Sequence, residues 1–226
     1  MRKGLLLTKR WVFQRLLALM FLFGGFTGLL SAQIAQRGTA TTATSTSTTV
    51  TASKPSGLTV GDLMLATINQ STNNSNVSLS DAVSTGWLLL AGQRFYETGN
   101  DEWWGTVLYK VANATDAAAA DFVFNGDSDA DDMQASIVAF SGVDPSNPID
   151  VAGTFTSSTT NNTSLSANGI TTTCPNAAVI MLSMISNDRD FNSDWSTTSP
   201  GALTELFDNP FNTDLDMGIG GAWAIN

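Results

Sequence analysis

The sequence predicts an all-β protein: a two-sheet antiparallel β-sandwich of jelly-roll or Ig-like type, with about 11–12 strands. Three observations carry this. Thr, Ser, Gly and Asn dominate, and charged residues make up only 13% of the chain. The Lys, Glu and Arg that populate helix surfaces are therefore scarce. Short apolar stretches recur between clusters of Gly, Asn, Asp and Pro, which are turn residues. Only Ala114–Ala120 favours a helix, and it is roughly two turns long.

Taken in order, the chain opens on a leader. Arg2, Lys3, Lys9, Arg10 and Arg15 precede the apolar run Leu16–Leu30, and small residues Ser31-Ala32 follow. Basic, apolar, small is the order of a secretory signal peptide, with cleavage expected at Ala32–Gln33. The run is shorter than the roughly 20 residues of a spanning helix, and Gly24, Gly25 and Gly28 interrupt it. Residues 33–47, rich in Thr and Ser, read as a tether. The sandwich domain is expected over 48–226.

Its first strand is Thr48–Ser53, ending at Lys54-Pro55-Ser56-Gly57. Asp62–Asn69 is apolar on both faces, which predicts a central strand covered on both sides. Further strands are expected at Trp87–Tyr96, Trp103–Ala112, Asp121–Asn125, Gln134–Ser141, Ile149–Phe155, Ser164–Thr173, Ala177–Ser186, Leu203–Phe207 and Leu215–Ile225, with a weaker one at Asn76–Ser80. The apolar last strand has no polar tail after it, which predicts a domain that continues beyond Asn226.

Charge narrows the partners. Loss of the leader removes five cations and no acid. Arg37, Lys54, Arg94, Lys110 and Arg189 then face all 20 acids, a formal charge of −15. Such a surface repels nucleic acid and anionic lipid and favours cations. Cys174 is the one cysteine, so no internal disulfide forms. Beside Pro175 and an apolar strand, it reads as a small buried hydrophobe.

Five blocks, in this order and spacing, resemble an uncharacterised β-sandwich module of secreted bacterial surface proteins and phage tail proteins. They are Lys54-Pro55-Ser56-Gly57 with Gly61-Asp62-Leu63-Met64-Leu65-Ala66; Gly86-Trp87-Leu88-Leu89-Leu90; Leu108-Tyr109-Lys110-Val111-Ala112; Ile137 to Asp144 with Pro148-Ile149-Asp150; and Thr171 to Val179. The resemblance covers roughly residues 50–226. It implies a sandwich in an extracellular setting and no catalytic residues. In physical terms, Gly57 and Gly61 suit turns, Trp87 suits the core, and Asp144 and Asp150 suit turn caps.

Two features bear on chemistry. Asp127, Asp129, Asp131 and Asp132 alternate as in a calcium loop. The sixth position is Asp132 where an EF-hand has Gly, and the twelfth is Val138 where it has Glu. Two readings stand: a calcium site, or a solvated acidic hairpin loop. Asp188-Arg189-Asp190 and Asp214/Asp216 are weaker candidates of the same kind. The second feature is Trp103-Trp104. Neighbouring strand residues face opposite sides, so Trp104 is either an outward stacking platform for a sugar, joined by Trp195, or a second core contact.

Catalysis has little to stand on. The chain contains no histidine, so a Ser–His–Asp triad is excluded. It carries no phosphate-binding glycine loop and lacks the ligands zinc prefers. A glycosidase needs two carboxylates at a set spacing, and the sequence singles out none. The expected function is a non-catalytic extracellular adhesion or structural module of a larger secreted or surface protein. The alternative is a carbohydrate-binding module, attached to an enzyme or not. A carboxylate glycosidase is a third.

Overall fold

The computed structural model describes residues 33–73, 85–153, 155–158, 162–213 and 215–226. The leader, the strand expected at Asn76–Ser80, and Asp214 lie outside them. The described strands are β1 (Ala35–Gln36), β2 (Thr41–Ser45), β3 (Thr49–Ser53), β4 (Leu63–Thr72), β5 (Leu88–Thr98), β6 (Asp101–Val111), β7 (Asp121–Asn125), β8 (Ala130–Ser141), β9 (Ala178–Ile185), β10 (Thr204–Phe211) and β11 (Met217–Ile225), with one helix, α1 (Ala114–Ala118).

All strand pairs are antiparallel. The all-β sandwich expectation holds, with one addition to the two sheets. The central sheet runs β1-β8-β4-β6-β5, with β2 also paired to β8; β10-β11-β9 and β3-β7 form two further sheets. The reason lies in β4, which is buried along its whole length. A strand with two apolar faces needs a cover on each.

Alternation assigns the covers. Met64, Ala66 and Ile68 pack with Met133, Ala135 and Ile137 against Val50, Ala52 and Phe124 of the β3–β7 pair. Trp87 seals this layer, with its ring 5.7 Å from Phe122 and 5.4 Å from Phe124. On the opposite face Leu65, Val138 and Phe140 meet Leu206, Phe207 and Ile219 of the β9–β11 sheet. Gly105 of β6 is needed for close approach there: a Cβ would lie 2.4 Å from Met184 Sδ and 2.8 Å from Phe155. Gly57 (φ 70°) and Gly61 (φ 93°) occupy the left-handed region in the turn before β4, as that turn requires.

The helix forms where expected because Asn113 caps it. Its side chain accepts from Thr115 N and Asp116 N, while Asp116 reaches back to Asn113 N. This reciprocal cap satisfies amides that a short helix leaves open. Lys110 Nζ, 2.7 Å from Asp116, ties the helix to β6.

The tether expected over 33–47 is corrected. β2 pairs with β8 from Thr41↔Ile137 to Ser45↔Met133, and β1 pairs Ala35↔Ser141. Every second residue of β2 is half-buried, so Thr and Ala here serve as strand residues on an edge. Arg37 joins this segment to the core: its Nε lies 2.9 Å from Asp62 Oδ2 and its Nη2 3.2 Å from Oδ1. Thr59 N and Oγ1 also donate to Asp62. Burial pushes the Asp62 carboxyl up, but the Arg37 bonds, the Thr59 bonds and the Arg37 charge outweigh it and hold it below the usual range.

Two expected strands are also corrected. Ile149–Phe155 and Ser164–Thr173 form no strand at their described residues. Asp150 takes the Thr173 amide at 2.7 Å, the Thr173 hydroxyl, and the Cys174 amide at 3.2 Å. Those bonds lower its pKa to about 2, the Thr173 hydroxyl contributing most. Asp150 thus caps a distant turn, while Asp144 caps its own by accepting from Ser146 N. Cys174, expected to be buried, is exposed on that turn as a free thiol.

Candidate functional site

The four aspartates sit where β7 turns into β8, at one end of the central sheet, and three of them engage different partners. Asp127, buried, accepts from Ser128 N at 2.7 Å and from Thr72 Oγ1 at 3.2 Å. Asp129 is exposed. Asp131 accepts from Asn73 Nδ2 at 2.9 Å. Asp132, buried, accepts from Thr213 Oγ1 at 2.7 Å, beyond the end of β10.

These four side chains therefore point to different partners rather than to one common point. Among the described residues no group of three or more His, Cys, Asp or Glu side chains is placed to hold a metal ion. Much of the run is strand, and a strand disperses its side chains over two faces. One local irregularity brings two carboxylates together. Opposite β8, Ser71 pairs with Asp132 while Thr72 pairs with Ala130, so Asp131 is the extra residue of a β-bulge. A bulge re-aims side chains, and Asp131 and Asp132 both line a cleft of about 340 Å³ with Thr46, Thr213 and Leu215.

The cleft is electronegative. Burial, then the charges of Asp132, Asp101 and Asp129, push the Asp131 carboxyl above its usual range, and the Asn73 bond offsets this only in part. Asp131→Asn keeps an acceptor for Asn73 and removes the repulsion. It is expected to raise stability slightly, by a few tenths of a kcal/mol, and melting is expected to be the same in Ca²⁺ and in chelator. A calcium-dependent rise that Asp131→Asn abolishes would restore the metal site.

The two tryptophans do not form one platform. Trp104 shares its β6 face with Leu108, which packs toward the β3–β7 layer. Trp195 packs with Leu203, Ala222 and Met181, on the side of the β9–β11 sheet turned away from the central sheet. Trp195 is 8% exposed, so its expected role in an open stacking site is corrected: the loop before β10 folds its ring onto the sheet, where it lies 5.5 Å from Phe191. Trp104 is half-buried, with its indole N–H donating to Glu102 Oε2 at 3.2 Å. Glu102 is buried and also accepts from Arg94 at 2.7 Å; Arg94 pairs in turn with Glu97 at 3.1 Å. Trp103, on the opposite face, is core against Tyr96.

A further acidic group lies under the Trp195 loop. Asp208 accepts from Phe191 N at 2.8 Å, and its Oδ1 is buried with no partner. Burial first, then the charges of Asp190 and Glu205, push its pKa up to about 6 against the bond from Phe191. The folded pKa exceeds the unfolded one, so the folded state binds the extra proton between about pH 4 and 6. Stability is expected to fall as pH rises through that window. Asp208→Asn should gain on the order of 1 kcal/mol over wild type at pH 7 and nothing at pH 4. Melting of both proteins across that range checks it; a constant difference would mean the carboxyl is not titrating there.

The sequence reading missed a polar row on the face of the central sheet turned toward β9–β11. Asn69 Nδ2 donates to Ile185 O at 3.1 Å, and Gln134 Nε2 donates to Asn209 O at 2.9 Å. Thr67 Oγ1, Asn69 Oδ1, Gln134 Oε1, Ser136 Oγ and Asn209 Nδ2 are all buried with no protein hydrogen-bond partner. Each such atom costs about 1–3 kcal/mol when left unsatisfied, and five would consume most of the 5–15 kcal/mol that folds a typical domain.

No protein-family model, curated protein or solved structure matches this chain.

Proposed function

We propose that the chain is exported and that residues 33–226 form a non-catalytic extracellular module, adhesive or structural, of a secreted or surface protein of the bacterial and phage-tail kind. The feature that carries this reading is the order of residues 1–32, basic, then apolar, then small, which predicts cleavage before Gln33. The use of charge also supports it. Arg37, Arg94 and Lys110 pair with Asp62, Glu102 and Asp116, and Lys54 donates to Ala117 O. Four of the five cations downstream of the leader thus brace the sandwich. Most acids are left to form a strongly hydrated, anionic exterior.

One observation favours the alternative, a carbohydrate-binding module. The Trp104 ring is half-exposed and held in orientation by Glu102, beside Arg94 and Glu97. An oriented indole flanked by polar groups suits a sugar face. In this reading Trp104 acts without Trp195.

Expression of the full chain in a bacterium tests export. The exported protein should begin at or within a few residues of Gln33, whereas a retained product starting at Met1 overturns export. The exported protein is then applied to arrays of glycans and surface polymers and to glycoside substrates. Retention without turnover supports the adhesive reading. Retention lost in Trp104→Ala shifts the assignment to carbohydrate binding, and turnover of a glycoside overturns a non-catalytic role.

A further inference from the structure

We infer that the space between the central sheet and the β9–β11 sheet holds a file of ordered water molecules, in line with the cleft at Asp132 and Thr213. The inference stands on five atoms and their register. Thr67 pairs with Ser136, and Asn69 with Gln134, on neighbouring strands. All four residues are fully buried, and one polar atom of each has no protein partner. Alternation places them on one face, since Asn69 and Gln134 bond to the β9–β11 sheet and Thr67 and Ser136 lie two residues further along the same strands. Asn209 Nδ2 completes the set from β10.

Chemistry selects the occupant. Asn69 Oδ1 and Gln134 Oε1 only accept, Asn209 Nδ2 only donates, and the hydroxyls of Thr67 and Ser136 do either. Water satisfies such a mixture, because each molecule donates twice and accepts twice. A cation would meet the amide donor of Asn209 head-on. The seam also has a mouth: Asp132, which lines the cleft, precedes Gln134 by two residues on β8, and Ser136 lies two deeper. The joint between the sheets is therefore dry where Leu65, Val138 and Phe140 pack and wet where Asn69 and Gln134 face it.

A high-resolution crystal structure of the exported protein tests this, together with oxygen-17 relaxation dispersion of water in solution. The expected result is density within hydrogen-bond distance of at least two of the five atoms, and a long-lived water signal that drops in Thr67→Val/Ser136→Ala. Side chains rotated to bond one another with no density between them would overturn it. So would a peak surrounded only by oxygens at metal-ligand distances, with an anomalous signal.

Discussion

Phe124→Ala is expected to destabilise the protein by about 3–5 kcal/mol, the cost of emptying a fully buried aromatic site. Phe124 is 0% exposed and stands between the β3–β7 pair and the central sheet. Its ring meets Trp87 edge-on at 5.4 Å. Truncation leaves a cavity beside Trp87 and Ile68, and the two-stranded layer has few other large side chains with which to fill it. In a domain of this size each kcal/mol shifts melting by roughly 2–4 °C, so a drop of roughly 10 °C is expected. Val123 is the internal control. It precedes Phe124 on the same strand, faces outward and is 48% exposed. Val123→Ala should change stability by less than about 0.5 kcal/mol. Thermal or urea unfolding of both variants decides the matter. Equal small effects would mean that the β3–β7 pair is a loosely attached two-stranded layer and that β4 does not need its second cover.

What the sequence disclosed follows from what pattern reports. The central position of β4 was legible because Leu63, Met64, Leu65 and Ala66 leave no polar face. The β3–β7 pair was legible as two strands, but their separation into a third sheet was not, since hydrogen-bond partners are not written in alternation. The polar row escaped for a related reason. Thr67, Asn69 and Ser71 alternate with Ile68 and Gln70, and read along the chain they resemble the fraying end of a strand. Only their register against Ser136, Gln134 and Asp132 shows a continuous buried row. The aspartate run was conspicuous but its geometry was not: a single bulge brings Asp131 and Asp132 to one cleft and leaves Asp127 engaged elsewhere. Trp195 looked like a loop residue and is one, yet its loop lies over an apolar sheet face whose existence depends on β9 to β11 pairing.

The segment 33–47 gives the sharpest contrast between composition and structure, and the second large effect. Removing it, so that the folded chain starts at Thr48, is expected to lower melting by roughly 10–20 °C or to prevent folding. Three losses combine. β8 would present an unpaired edge along the residues that β1 and β2 now cover, from Met133 to Ile137 and at Phe140 and Ser141, and open edges invite association. Ile34 and Ala40 would leave the cluster around Phe140, and Ala43 the cluster around Ile137. Asp62, 4% exposed, would keep its Thr59 bonds but lose Arg37. Stripping the partner from a buried carboxylate costs about 3–5 kcal/mol, less here because Arg37 is itself 36% exposed and the pair is partly hydrated. Arg37→Ala in the full segment isolates that last loss and should account for only part of the destabilisation, since the pair is partly hydrated. Its deficit should shrink as pH falls through the Asp62 titration, because a depressed folded pKa gives stability that is present above the unfolded value and lost on acidification. Calorimetry of the chains starting at Gln33 and at Thr48, with amide exchange across Met133–Ser141, reads the outcome. Matching melting temperatures and equal protection of β8 would show that residues 33–47 are a tether after all.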